Sequence, residues 1–262
     1  TIEKAKSGVT YADTADSTAA VAAQDLAEAG IFTGAKIGDQ YYFEPDKPVS
    51  RSEFLAMVME TAGDEPTAVT MTGFCDDAAI PTWAKAYAAA GVADGIIQGV
   101  STAEGVAFQG DEPITFNEAA TVLNRVLAVE DVDLAGWYAD REAVPSWAAQ
   151  AVGNMEAVSV LAAGSFGSAA MGETVTRADA AQMLSAAGTL LEETLALAGA
   201  IAQNSPFAVS RAKRSVNGGR EMLPEEALEW ERDLFGECGD SRDRREGMTA
   251  FIEKRPRVFT GE

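Results

Sequence analysis

The stretch FEPDKPVSRSEFLAMVME, at residues 43–60, returns in altered form as FQGDEPITFNEAATVLNR at residues 108–125. Phe43 matches Phe108, and the other shared positions keep the same constant spacing. A third version, FGSAAMGETVTRADAAQML, lies at residues 166–184. Self-similarity with a regular period predicts a repeat architecture, in which each unit buries its apolar face partly against its neighbours.

Each copy is predicted to contain two helices. Segments 18–29, 81–94 and 145–158 are rich in strong helix formers. A second helix follows each of them and begins at a capping box, whose side chains satisfy free amides at a helix start. The capping pairs are Ser50 with Glu53, Thr115 with Glu118, and Thr176 with Asp179. We therefore predict a mostly α fold, with short extended arms at QYYFEP and GVAFQG between the helices.

An aromatic-x-Asp motif opens each copy. The motifs are Tyr11 with Asp13, Phe74 with Asp76, and Tyr138 with Asp140. A glycine corner then ends the first helical segment, as GIFTG, GIIQG and VLAAG in the three copies.

Composition excludes several classes of function. The chain has 262 residues, of which 47% are hydrophobic, so roughly two folding units are expected. No apolar run is long enough to predict a membrane span. There is no histidine, and the two cysteines lack metal-ligand spacing, so we expect no metal and no cofactor. Most of the net charge of −21 lies in residues 1–190, which argues against nucleic-acid binding by that part of the chain.

Residues 8–190 resemble three tandem S-layer homology repeats, at residues 8–66, 71–129 and 135–190. The resemblance rests on the aromatic-x-Asp openings, the glycine corners and the capped helix starts. It implies a pseudo-threefold helical assembly that anchors a protein non-covalently to the bacterial cell surface. The implied partner is an anionic, pyruvylated secondary cell-wall polymer or a peptidoglycan-linked glycan, and the implied location is the cell wall or S-layer.

Two arginines point to an anion site. Arg51 and Arg177 lie in the first turn of a predicted helix, where the macrodipole disfavours a cation. Free helix amides beside a guanidinium can bind a carboxylate, which gives these arginines a functional reason. Phe116 replaces the arginine in the second copy, so its pocket is expected to lack the cation. A helix-capping role alone is the alternative for the acidic residues.

The expected polymer-binding set combines these groups with aromatic and glycine positions. Trp83 and Trp147 follow prolines at matching positions and predict either a sugar-stacking surface or helix-packing core. The full set is Arg51, Arg177, Glu53, Glu118, Asp179, Trp83, Trp147, Gly34, Gly99 and Gly164.

Residues 191–262 break the repeat. Ser205, Pro224 and Asp243 are expected helix starts. The stretches IAQNSPFAVSRAKRSVN, EALEWERDLF and EGMTAFIEKRPRVF resemble the C-terminal tail of the enoyl-CoA hydratase/isomerase (crotonase) family. That resemblance implies that the tail packs over an acyl-CoA site and between subunits. Phe251 and Lys254 occupy the positions that reach CoA; the alternative is an apolar helix face and a solvated helix end.

Three functions follow from these patterns. The leading expectation is a cell-surface binding module that is not an enzyme, because the repeats replace the crotonase catalytic core and no catalytic residue is recognised. A second is a catalytically incomplete enoyl-CoA hydratase/isomerase fragment or partner subunit, located in the cytoplasm. A third is a structural protein that forms homo-oligomers through its tail, whose apolar helix faces would otherwise remain uncovered.

Overall fold

The computed structural model describes residues 8–137, 144–220 and 222–262. The chain is mostly helical, as predicted from the sequence. The helices are α1 Ala20–Glu28, α2 Arg51–Ala62, α3 Thr82–Ala93, α4 Phe116–Leu127, α5 Leu134–Trp137, α6 Ser146–Ala157, α7 Arg177–Ala202, α8 Pro206–Gly219, α9 Pro224–Asp240 and α10 Arg242–Glu253. The predicted motif at Tyr138 and Asp140 lies outside the described residues.

Two antiparallel hairpins provide the short extended arms. Strand β1, Ala35–Ile37, pairs with β2, Gln40–Tyr42. Strand β3, Val100–Thr102, pairs with β4, Gly105–Ala107. Each hairpin precedes the segment that leads into a capped helix, α2 in the first case and α4 in the second.

The chain divides into two compact units, and the boundary falls between Leu191 and Glu192. We call the part before the boundary unit 1 and the part after it unit 2. Helix α7 contributes residues to both units.

The capped helices of unit 1 begin where the sequence predicts. Ser50 Oγ accepts from the amide of Glu53 at 3.2 Å, and the Glu53 carboxylate accepts from the amide of Ser50 at 2.9 Å. Thr115 and Glu118 form the same reciprocal pair at the start of α4. Two amides that a helix start leaves free are thus satisfied in each case.

A closed ring of backbone hydrogen bonds lies at the centre of unit 1. The amide of Val49 donates to the carbonyl of Val175 at 2.9 Å, and the amide of Ile114 donates to Val49 at 3.0 Å. The amide of Val175 completes the ring by donating to Ile114 at 2.8 Å. All three side chains are buried. The ring therefore brings the starts of α2, α4 and α7 close together.

The aromatic-x-Asp motifs hold the segments that enter this ring. Asp13 accepts from the amides of Phe43, at 2.9 Å, and Glu44, at 2.7 Å. The second motif repeats the arrangement, since Asp76 accepts from Phe108 and from the residue after it, each at 2.8 Å. Glu44 has a φ of 55°, in the left-handed region. The carboxylate thus stabilises a turn that an L-residue rarely adopts.

One helix of the described residues, α7, is long and apolar enough to cross a membrane by length and composition. Sequence analysis found no such run, because Glu192 and Glu193 interrupt the apolar residues. Ala181 and Leu184, in the first half of α7, are buried in unit 1. Since helices of soluble proteins also meet this criterion, α7 alone does not indicate a membrane span.

Unit 2 buries little apolar surface of its own. Among its described residues, Leu234 and Ala250 are the apolar side chains that are buried. Phe235 is 78% exposed and Phe251 is 85% exposed. The expected start of α10 at Asp243 is off by two residues, because the Ser241 hydroxyl caps this helix by accepting from the amide of Arg244.

Candidate functional site

A cavity of about 280 Å³ lies beside the start of α2. Arg51, Glu118, Arg125 and Trp147 are among the residues that line it. Arg51 Nε donates to the carbonyl of Phe108 at 3.1 Å, and its guanidinium forms a short ion pair with Glu118. The cation predicted to bind an anion is therefore already paired, because a carboxylate of the next capped helix lies against it.

Arg177 is paired in the same way and is more deeply buried. It donates to the carbonyl of Phe43 at 3.1 Å and to the Glu44 carboxylate at 2.7 Å. A second nitrogen lies 3.8 Å from Glu53, and the guanidinium lies 5.0 Å from the centre of the Phe32 ring. With these partners the cation has little surface left for an external ligand.

The third equivalent position is apolar. Phe116 begins α4 where Arg51 begins α2 and Arg177 begins α7. It lines a cavity of about 240 Å³ together with Asp179 and Gln182. Asp179 keeps its capping role, since it accepts from the amide of Thr176 at 3.0 Å. Phe116 thus stands at this helix start where Arg51 and Arg177 stand at the other two.

Of the remaining members of the predicted binding set, Gly99 and Trp147 lie at the Arg51 cavity. Trp83 is 52% exposed and Trp147 is 59% exposed, so neither is a core residue. Gly34, Gly99 and Gly164 all have positive φ angles. A Cβ on Gly34 would lie 2.3 Å from the carbonyl oxygen of Tyr42, which explains the requirement for glycine there.

In unit 2 a larger cavity, of about 550 Å³, opens between α8 and α9. It is mainly apolar, with Val216, Leu228 and Phe235 in its wall and Arg211 and Arg232 among its charged groups. Val216, Leu228 and Phe235 are all more than 60% exposed. This surface, together with Met248, Phe251 and Ile252 of α10, is called the apolar surface of unit 2 below.

Among the described residues of this unit, Asp243 is the buried charged group. Its carboxylate accepts from Ser205 Oγ at 2.5 Å and from the amides of Thr260, at 2.8 Å, and Gly261, at 3.1 Å. Burial alone would raise the pKa of Asp243, but these hydrogen bonds outweigh it and lower the pKa below its ordinary value. Asp243 therefore remains ionised at neutral pH.

Glu246 forms a second carboxylate centre on the same helix. Its oxygens accept from Arg255 at 2.6 and 2.8 Å and from the amide of Val258 at 3.0 Å. The hydrogen bonds from Arg255, followed by that from Val258, lower the pKa of Glu246 to about 2. Sequence analysis missed both carboxylate centres, because their partners come from the irregular segment after α10. The sequence Arg255-Pro256-Arg257 was the available signal, since its proline ends the helix and its first arginine is the partner of Glu246.

The two residues assigned to CoA by resemblance lie at the end of α10. Phe251 is almost fully exposed, and Lys254 ends the helix with a φ of 55°. The two residues are three positions apart, and among the described residues neither side chain has a hydrogen-bond or ion-pair partner. Both groups remain accessible to another molecule.

Comparisons with known proteins identify the family of the second half of the chain. Residues 133–262 match the family model for enoyl-CoA hydratase/isomerase. The mitochondrial enoyl-CoA hydratase of Pongo abelii is 45% identical over 71 residues, which are 27% of this chain and 24% of that protein. The short-chain-enoyl-CoA hydratase of Clostridium acetobutylicum is 39% identical over 66 residues, which are 25% of each chain. A probable enoyl-CoA hydratase of Mycobacterium bovis is 37% identical over 111 residues, 42% of each chain.

Residues 133–262 therefore carry an enoyl-CoA hydratase/isomerase-family segment. The match begins before the predicted crotonase-like tail, 191–262, and includes all of the expected third repeat, 135–190. The aligned regions cover about a quarter to two fifths of the length of these relatives.

These findings correct two predictions and leave two others without support. Cell-wall anchoring as the main function is wrong, because the family model and the relatives are enoyl-CoA hydratases and none supports wall binding. The prediction that the chain is not an enzyme is contradicted as well, since the matched family is an enzyme class. The cell-surface location has no support, and neither does the S-layer homology resemblance of residues 8–190. Short capped helices with glycine corners are too general a pattern to identify that family.

Proposed function

We propose that residues 133–262 supply the C-terminal helical part of an enoyl-CoA hydratase and act together with a hydratase core. The reaction is the addition of water to the double bond of a 2-enoyl-CoA. Because the substrate is a CoA thioester, the proposed location is the cytoplasm. The observation that carries the proposal is the combination of a family match in residues 133–262 with the uncovered apolar surface of unit 2.

The apolar surface of unit 2 supports a docking role. A soluble unit rarely leaves so many large apolar side chains in water unless another surface covers them. Phe235 and Phe251 are each exposed over more than three quarters of their surface. Since burial of apolar area contributes roughly 25 cal/mol per Å², covering such side chains favours association. The match of residues 133–262 to the hydratase/isomerase family supports a hydratase core as the proposed occupant.

The charges near this surface fit a CoA ligand. Helix α8 carries Arg211, Lys213 and Arg214 and has no acidic residue. Lys254 adds a cation at the exposed end of α10. CoA is a polyanion, and ammonium and guanidinium groups bind phosphate through charge-assisted hydrogen bonds. We propose that Phe251 and Lys254 contact CoA once the core is in place.

Reconstitution tests the proposal. The hydratase of Clostridium acetobutylicum would be prepared without the 66 residues that match this chain. Hydration of crotonyl-CoA is then followed by the loss of absorbance of the conjugated thioester, with and without the full-length chain. We expect the mixture to exceed the sum of the separate rates by at least about tenfold, since restoring a preorganised site is typically worth that much.

Two matched variants distinguish docking from general surface effects. Phe235→Asp places a charge on the apolar surface at a position that is 78% exposed, so the unit should still fold. Leu195→Asp makes the same kind of change on α7, at a position that is 70% exposed. The proposal requires Phe235→Asp to lose the stimulated rate and Leu195→Asp to keep it. Equal rates for the mixture and its separate parts would reject the proposal, provided that pull-down also shows no complex.

We also propose that residues 8–66, 71–129 and 135–190 are three copies of one helical unit. The cyclic hydrogen bonds of Val49, Ile114 and Val175 support this arrangement. So does the equivalent placement of Arg51, Phe116 and Arg177 as first helical residues. In this proposal the two arginines tie neighbouring copies together through carboxylates of the next capped helix.

A further inference from the structure

The last eight residues of the chain return along α10 toward its start. The amides of Thr260 and Gly261 donate to the carboxylate of Asp243, at 2.8 and 3.1 Å. In return, the amide of Asp243 donates to the carbonyl of Glu262 at 3.0 Å. Arg242 and the Glu262 carboxylate add an exposed ion pair at 2.6 Å. The end of the segment is therefore held on the first turn of α10.

The beginning of the same segment is held separately, one turn further along the helix. Arg255 forms two hydrogen bonds to Glu246, and the amide of Val258 donates to the same carboxylate. Phe259 packs close to Gly247, where a Cβ would lie 3.5 Å from the ring. Two carboxylates on α10 thus fix the segment at both of its ends.

The Asp243 carboxylate also reaches the start of another helix. Ser205 Oγ donates to it at 2.5 Å and accepts from the amide of Ala208 at 3.2 Å, which caps α8. Gly261 completes this junction, since a Cβ on it would lie 3.5 Å from Pro206. Ser205 and Asp243 are buried polar residues in a unit that buries few apolar side chains.

We propose that residues 255–262 form a strap that closes on Asp243 and fixes α10 against the start of α8. Asp243 is a positioning residue, because it joins the strap, α10 and the cap of α8 in one hydrogen-bonded junction. When the strap opens, the Asp243 carboxylate keeps Ser205 but loses the amides of Thr260 and Gly261, which loosens the junction and leaves α10 free to move with Met248, Phe251 and Ile252. The strap thereby controls how part of the apolar surface of unit 2 is presented. This inference stands on contacts within unit 2 and does not depend on the hydratase proposal.

Hydrogen exchange on the full-length chain tests the strap. In Asp243→Ala we expect faster exchange both in residues 257–262 and in the first turn of α8, by at least about tenfold, since several hydrogen bonds are lost together. Asp240→Asn is the matched control, because this exposed carboxylate lies three residues earlier and should change neither region. Faster exchange in residues 257–262 with no change in α8 would overturn the proposal, because simple fraying of this segment gives the same result without any link to α8.

A second variant covers the case in which Asp243→Ala unfolds the unit. Deleting Thr260, Gly261 and Glu262 leaves Asp243 and Ser205 in place but removes the closing end of the strap. We expect this deletion to increase exchange in the first turn of α8 while the middle of α9 remains protected. Unchanged exchange in α8 would show that the strap does not hold the junction. Because the readout is exchange rather than crotonyl-CoA hydration, its failure is distinguishable from failure of the proposed function.

Discussion

The guanidinium of Arg51 and the carboxylate of Glu118 form an ion pair between the first turns of α2 and α4. The same carboxylate accepts from the amide of Thr115 at 2.9 Å. One side chain therefore caps its own helix and joins it to a neighbour. A longer contact of the same kind connects Arg177 with Glu53.

Replacing Arg51 with methionine is expected to destabilise unit 1. The side chain is only 15% exposed, and its removal leaves the Phe108 carbonyl and part of Glu118 without a partner. Losing a partly buried charged partner costs about 1–3 kcal/mol. The free energy of unfolding from urea titration measures the effect. Lys47→Met is the control, because the exposed pair of Lys47 and Glu44 should contribute less than about 1 kcal/mol.

Replacing Phe116 with arginine should create a third ion pair between helix starts, beside those of Arg51 with Glu118 and Arg177 with Glu53. If the three helix starts are equivalent, the new guanidinium reaches Asp179 as Arg51 reaches Glu118. A double-mutant cycle with Phe116→Arg and Asp179→Asn is expected to show a favourable coupling of about 0.5–1 kcal/mol. Absence of coupling would contradict the proposal of three equivalent copies, whatever the individual stabilities are.

Alanine substitutions at Gly34, Gly99 and Gly164 should lower the free energy of unfolding by different amounts. Gly34 and Gly99 combine a positive φ with close contacts, a Cβ on Gly99 lying 2.6 Å from the Phe74 ring. Gly164 has a φ of 88° but no atom within 4 Å of its Cβ position. We expect Gly164→Ala to cost about 1 kcal/mol, for backbone strain alone. Gly34→Ala and Gly99→Ala should cost clearly more, by chemical denaturation, and equal losses at all three sites would refute this reasoning.

Acid should weaken unit 2 through its two carboxylate centres. A group whose pKa is lower in the folded state stabilises the fold above its ordinary pKa and loses that contribution as the pH falls. The pKa of Glu246 is lowered from 4.5 to about 2, so its contribution should disappear between these pH values. Asp243 has a lowered pKa and acts in the same direction. Urea midpoints recorded by circular dichroism should fall in this window, and the fall should be smaller in Glu246→Gln.

Local signals in the sequence were sufficient for the helices and their caps. Ser50, Thr115 and Ser205 each satisfy amides at the start of their own helix, within a few residues of chain, so their role follows from spacing alone. The partners of Arg51 and Arg177 could not be found in this way. Glu118 lies 67 residues from Arg51, and Glu44 lies 133 residues from Arg177, so these pairs depend on how the chain folds back on itself.

Function was harder to infer than fold, because the patterns that predict helices do not identify a family. The capped helices of unit 1 follow general rules of helix formation, which many unrelated families share. The hydratase signal lies in longer stretches such as IAQNSPFAVSRAKRSVN, where the identities of successive residues are informative. These stretches resemble the crotonase tail, whereas the repeats predict a wall-binding protein, and the family match shows that the first of these two signals was the informative one.

The ring formed by Val49, Ile114 and Val175 also affects the order of events during synthesis. A ribosome releases the chain from its N-terminus, so Val49 and Ile114 emerge long before Val175. Until the third segment arrives, the amide of Val49 has no ring acceptor and the carbonyl of Ile114 has no ring donor. Nascent chains that end before α7 should therefore remain sensitive to proteases, and arrest of translation beyond this helix should give a sharp gain in resistance.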